Sequence, residues 1–144
     1  MAPGRRREPA RISDRDYARL LTVRTAIRRF ERWSAEQAAA HGVTASQHQL
    51  LLAVRGHDGA QGPTISQVAD YLLIRHHSAV ELIDRSEQAG LVERVPDAED
   101  RRAIRLRLSA EGARILAALT GAHVEELARL TALFESSIGP LGTR

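Results

Sequence analysis

The sequence predicts a mainly α-helical fold with one small β-hairpin, and three features of its 144 residues carry that expectation. Apolar residues recur at helical spacing over most of the chain, and capping residues and glycines interrupt that pattern at intervals. Only the stretch from Leu91 to Leu108 alternates with period two. The chain is long enough for one core and short for two, so a single domain over residues 13–144 is expected.

Residues 1–12 contain Pro3, Gly4, Pro9 and clustered charge with nothing apolar before Ile12, the composition of a disordered basic arm. Ser13 and Asp16 then open a helix whose Tyr17, Leu20, Leu21, Ile27 and Phe30 keep helical spacing as far as Gly42. At ~1.5 Å per residue this rod is about 40 Å long. It overhangs any core so small a chain can build, and the overhang is expected to pack on a second subunit. Thr44 and Gln47, at capping-box spacing, start a shorter helix carrying Leu50, Leu51 and Val54 and stopped by Gly56.

The glycine-rich segment from His57 to Pro63 reads as a loop. Ser66 is expected to cap a brief helix through Val68, Ala69 and Leu72, and a fourth helix to run from about Arg75 to Ala89, ended by Gly90. Leu91, Val92 and Val95 form the first strand of the hairpin, and Pro96 to Asp100 its turn. Ile104, Leu106 and Leu108, alternating with Arg105 and Arg107, form the second. Ser109 caps a last long helix with Ile115, Leu116, Leu119, Val124, Leu127, Leu130 and Phe134 on one side, weakened at Gly121 and closed by Gly139 and Pro140.

Composition narrows the function classes. Every one of the 21 basic residues is arginine, and the four arginines and one acid of residues 1–12 account for the whole net charge of +3. The rest of the chain is neutral, so nucleic-acid binding has to rest on local arginine clusters. With no cysteine there is no disulfide framework or thiolate metal site. Neither a spanning apolar run nor a signal-peptide pattern is present, so a cytoplasmic location is expected. The adjacent His76 and His77 point about 100° apart on a helix and make poor co-ligands, and His41, His48, His57 and His123 show no i, i+4 pair, so no metal is expected. No nucleophile elbow or glycine-rich phosphate loop suggests an enzyme.

Two short helices, a longer one and a hairpin follow the order of a winged helix-turn-helix. On the fourth helix His77, Ser78, Glu81, Asp84, Arg85 and Gln88 share one face, opposite Ala79, Leu82 and Ile83. These polar types can read base edges, and they equally suit an ordinary solvated face. In the hairpin, Asp97, Glu99 and Asp100 precede Arg101, Arg102, Arg105 and Arg107. Guanidinium groups gathered at a wing tip can enter a minor groove, with the acids holding them in place; a surface salt-bridge network is the plainer alternative.

The stretch TISQVADYLLIRHHSAVELIDRSEQAGLVERVPDAEDRRAIRLRLS, Thr64 to Ser109, resembles the DNA-binding core of the MarR family of bacterial regulators. Its most specific part is AGLVERVPDAEDRRAIRLRLS, and the long flanking helices, 13–42 and 109–138, resemble that family's dimerisation region. The resemblance implies a homodimer on a pseudo-palindromic double-stranded DNA operator, commonly a repressor released by a small aromatic or phenolic effector, with no cofactor. It implies Arg102, beside Arg101, as the minor-groove arginine, oriented by Asp100. Arg75, His76, His77, Ser78, Glu81 and Arg85 become the recognition-helix positions, and Thr64 and Ser66 phosphate contacts.

The same resemblance places Phe30, Trp33, His41 and His48 near the effector pocket, although Phe30 and Trp33 also suit the core or a dimer interface. Two residues depart from the pattern. Ser86 stands where leucine is expected, and Ile74 leaves the recognition helix without a side-chain cap. A winged-helix module that binds protein and not DNA is the competing reading.

Overall fold

The structure, a computed structural model, describes residues 11–138. The arm with Arg5, Arg6 and Arg7 and the expected stop at Gly139 and Pro140 lie outside the described residues. Five helices and one hairpin follow in the order α1 (Asp14–Ala40), α2 (Ala45–Gly56), α3 (Ile65–Leu72), α4 (His76–Gln88), β1 (Val92–Pro96), β2 (Ile104–Leu108) and α5 (Ala110–Ile138).

Three of the helices open on full capping boxes. Ser13 with Asp16, Thr44 with Gln47, and Thr64 with Gln67 each exchange side-chain and backbone hydrogen bonds across the first turn, satisfying donors the helix leaves free. The third box corrects the expectation that Ser66 caps α3. Thr64 has the extended backbone a cap requires and the glutamine three residues on, so the helix begins at Ile65 and Ser66 lies exposed in its first turn. Recognition-helix candidate α4 starts one residue later than expected. Arg75 is its N-cap, without a side-chain bond.

The core gathers Leu50, Leu51 and Val54 of α2, Val68 of α3, Leu82 and Ile83 of α4, Leu91, Val92 and Leu106 of the hairpin, and Ile115, Leu116 and Leu119 of α5. Ser86 is fully buried among them without an orphaned hydroxyl, because its Oγ donates to the Leu82 carbonyl at 2.8 Å. That bond explains how serine holds a position that favours leucine.

β1 and β2 pair antiparallel with Val92 opposite Leu108 and Pro96 opposite Ile104. The segment before α3, expected as plain loop, adds a third short rung. Thr64 bridges Arg105, and the Leu106 N–H donates to the Pro63 carbonyl at 2.9 Å. Gly62 permits this approach, since a Cβ there would overlap the Leu106 carbonyl oxygen. The wing is thereby stitched to the root of α3.

α1 and α5 pack on each other, with Ser34 Oγ 2.8 Å from His123 Nε2. Beyond that contact both helices keep large apolar side chains exposed: Tyr17, Leu20 and Leu21 on α1, Val124, Leu127 and Ile138 on α5.

Candidate nucleic-acid interface

α4 divides as its sequence pattern requires. Ala79, Leu82, Ile83 and Ser86 are buried, while Arg75, His76, His77, Glu81, Asp84, Arg85 and Gln88 are exposed and Ser78 is half-buried. Asp84 is not available to a ligand, however. Its Oδ1 accepts from Arg94 Nη2 at 2.6 Å, and Glu87 takes both Arg94 Nη1 at 3.1 Å and the Arg94 backbone N–H at 3.2 Å. Arg94 stands on β1, so one guanidinium braces the wing against the recognition-helix candidate. That strut was absent from the sequence reading, which took Asp84 as part of the polar face. The sequence signal for it is weak, a lone arginine ten residues beyond an acid.

The wing separates its arginines into two kinds. Arg105 donates from Nε to Asp97 Oδ2 at 2.7 Å and from Nη1 to the Gly62 carbonyl at 3.3 Å, and Arg107 pairs with Glu93 at 2.7 Å. Arg101 and Arg102 at the tip are exposed and, among the described residues, in no salt bridge. With Arg94, three of the five hairpin arginines are therefore held in ion pairs, and only the two at the tip keep unpaired guanidinium groups among the described residues.

Asp97 organises the turn. Its Oδ1 accepts from the Glu99 and Asp100 backbone N–H groups at 2.8 and 2.9 Å, and its Oδ2 takes Arg105 and the Gln61 amide, the latter at 3.2 Å. The Asp100 and Glu99 amides, and after them the Arg105 guanidinium, hold its carboxyl well below the usual carboxylate range. Gln61 also accepts from the Ala98 N–H at 2.9 Å, a contact from the loop that nothing in the sequence announces. Asp100 orients Arg102 in a different manner from the one expected. Its Oδ1 accepts the Arg102 backbone N–H at 3.0 Å, which shapes the turn and leaves the guanidinium unheld.

Thr64 is half-buried and engaged as the α3 cap, and Ser66 is exposed. Of the four residues placed near an effector pocket, three come together. Phe30 and His48 line a cavity of about 520 Å³ between α1, α2 and α5. Trp33 lies beside it, its ring 4.7 Å from that of His123, and lines an adjoining cavity of about 300 Å³ that shares Phe30. His41 does not join them. It caps the C-terminus of α1 in an exposed position, with Nδ1 2.9 Å from the Gln37 carbonyl oxygen, because the helix ends there and turns the ring outward. His123 takes the expected place of His41. Its ring centroid lies 4.6 Å from that of His48, a pairing that no i, i+4 spacing announces. Burial first, and then His123, push the His48 imidazole below the usual histidine range.

Residues 41–103 match the sequence profile of the MarR family. The likeness to the MarR family is carried by these residues. The matched stretch runs from the end of α1 to the foot of β2 and so contains α4 and the wing tip. The HTH-type transcriptional regulator PecS of Dickeya dadantii (strain 3937) is 29% identical over 83 residues, 58% of this chain and 50% of PecS. The chain thus matches about half the length of that curated relative.

Solved structures share the fold. AbsC, a MarR-family transcriptional regulator from Streptomyces coelicolor, superposes with a TM-score of 0.69 at 20% identity, covering 85% of this chain and 82% of AbsC. The MepR–DNA complex of S. aureus gives a TM-score of 0.66 at 22% identity, covering 81% of this chain and 82% of MepR.

Proposed function

We propose that this chain is a sequence-specific transcription regulator of double-stranded DNA, acting in the cytoplasm as a homodimer and as a repressor that a small effector releases. The carrying observation is the pair Arg101 and Arg102, exposed and unpaired among the described residues, on a wing that Arg94 braces against the polar face of α4. A neutral body needs such a local concentration of charge, because it has no global field to draw in a polyanion.

Relatives support the reading. PecS is named as a transcriptional regulator, and MepR of the same fold has been solved on DNA. The apolar residues left uncovered on α1 and α5, Tyr17, Leu20, Leu21, Val124, Leu127 and Ile138, suit a two-fold interface that would present two wings to one duplex. In such a dimer Arg102 reaches a minor groove, and His77, Ser78 and Arg85 reach base edges in the major groove.

Selection of bound sequences from random DNA, repeated at several salt concentrations, tests all of this together. The expected product is a pseudo-palindrome with half-sites about one helical turn, ~10 base pairs, apart. Affinity should fall steeply on a log–log salt plot. Recovery of no motif, with binding flat in salt, would overturn the reading and favour a winged-helix module directed at protein.

A further inference from the structure

We propose that Gln61, in the loop ahead of α3, is a positioning residue of the wing: its side-chain amide clamps the turn, so that Arg101 and Arg102 reach DNA already aimed. The inference rests on the DNA-binding reading above and adds to it a residue that itself touches no DNA.

The clamp is bidentate. Gln61 Oε1 accepts from the Ala98 backbone N–H at 2.9 Å, and Nε2 donates to Asp97 Oδ2 at 3.2 Å. Bonds to two consecutive residues fix the orientation of the turn as well as its distance. Among the described residues, no other side chain from outside the hairpin hydrogen-bonds residues 96–103. Within itself the turn is already rigid. Asp97 Oδ1 holds the Glu99 and Asp100 amides, the Asp97 N–H donates to the Ala103 carbonyl at 2.9 Å, and the Ala103 N–H to that of Asp100 at 3.0 Å. Arg101 and Arg102 lie inside this loop and move where it moves. On two strands alone it would still swing as a body, since a lone hairpin is at best marginally stable.

Gln61 resists that swing because its own backbone is anchored. The Gly62 carbonyl accepts from Arg105 Nη1 at 3.3 Å, the Pro63 carbonyl from the Leu106 N–H at 2.9 Å, and Thr64 caps α3. Pro63 is fully buried, and a Cβ on Gly62 would overlap the Leu106 carbonyl oxygen, so the segment is locked against β2. The clamp therefore carries the position of α3 to the wing tip, as Arg94 carries that of α4 to β1. A tip held in one orientation is spared the ordering cost that a loose one meets on binding. The benefit is largest for groups that must enter a narrow groove, as Arg101 and Arg102 would over an A·T tract.

Gln61→Met keeps the length of the side chain and removes both bonds. In the free full chain, amide hydrogen exchange at Ala98 should quicken several-fold. Tm should stay close to that of wild type, because Ala98 is exposed and water takes over its N–H, while Asp97 keeps Arg105. Anisotropy with a labelled A·T-tract duplex at low salt should show binding weakened by about two- to ten-fold, the size of one net hydrogen bond. In an Arg101→Ala, Arg102→Ala background the same change should cost less than about two-fold, because no guanidinium is left to aim. A residue that served only folding would cost as much there as in wild type. Unaltered exchange at Ala98, an unchanged affinity, or an equal loss with and without the tip arginines would each overturn the inference while wild type binds. A wild-type chain that ignores the duplex would refute the regulator reading, and this inference with it.

Discussion

Arg105 and Asp97 face each other across the turn of the wing, Nε to Oδ2 at 2.7 Å, and this contact leaves Arg101 and Arg102 as the unpaired guanidinium groups at the tip among the described residues. Asp97 is buried and also accepts two backbone N–H groups, so it is the post on which the turn is wound. Asp97→Asn keeps the shape but replaces one accepting oxygen by an amide NH2, so it cannot accept both from the turn amides and from Arg105, and Tm should fall by several degrees. The carboxyl titrates lower in the folded chain than its ordinary value of 3.8, so its stabilisation is fully present above that pH and is lost progressively as pH falls from there toward the lower folded value. The gap in Tm between wild type and Asp97→Asn should therefore be constant above about pH 5 and shrink below about pH 4. A gap that widens on acidification would contradict the assignment.

The two kinds of wing arginine should separate in mutagenesis. Arg102→Ala removes an exposed group with no ion pair among the described residues, so DNA binding should weaken by about 1–3 kcal/mol while Tm stays put. Arg105→Ala strips Asp97 of its cation and should lower Tm first, with any loss of binding following the wing's disorder. Fluorescence anisotropy beside thermal melts reads both quantities. The reverse pattern would mean that the tip arginines are structural and the strand arginine makes the contact.

Arg94 makes a different prediction, because it touches acids on α4 and not the tip. Arg94→Met should loosen the wing against the helix and weaken DNA binding, yet leave the salt slope unchanged, since no phosphate contact is lost. Combined with Arg102→Ala, the second loss should be smaller than the sum, because a wing without its tip arginine gains little from being held in place. Strict additivity would show that Arg94 serves only folding.

What the sequence disclosed and what it hid follow the range of the interactions. Ser13 with Asp16 and Thr44 with Gln47 are three-residue signatures written locally, and the structure forms both as read. Thr64 with Gln67 carries the same signature, and it is this pair and not Ser66 that caps α3. Alternation along β2 showed that its arginines point away from Leu106, yet not which acid each one meets. That depends on a turn folded tightly enough to bring Asp97 back to Arg105. His48 and His123 lie on different helices, and only the packing of α5 against α1 and α2 makes them neighbours. No spacing rule reaches that far.

Leu73 joins α3 to α4 in the left-handed region, at φ +54°, with 91% of its surface exposed. A leucine there strains its backbone and buries almost nothing in return. The left-handed conformation costs an ordinary L-residue about 1 kcal/mol or more, whereas asparagine adopts it through local hydrogen bonding. Leu73→Asn should therefore raise stability in urea by about 0.5–1 kcal/mol, and Leu73→Val, branched at Cβ, should lower it. If Leu73→Asn leaves the free protein more stable but weakens DNA binding, the exposed leucine spends that strain on a contact made only in the complex, at the turn just ahead of His76 and His77. If Leu73→Asn destabilises the free protein, the side chain must be covered by a second copy, which dilution of the wild type into the monomer range would reveal as a matching loss.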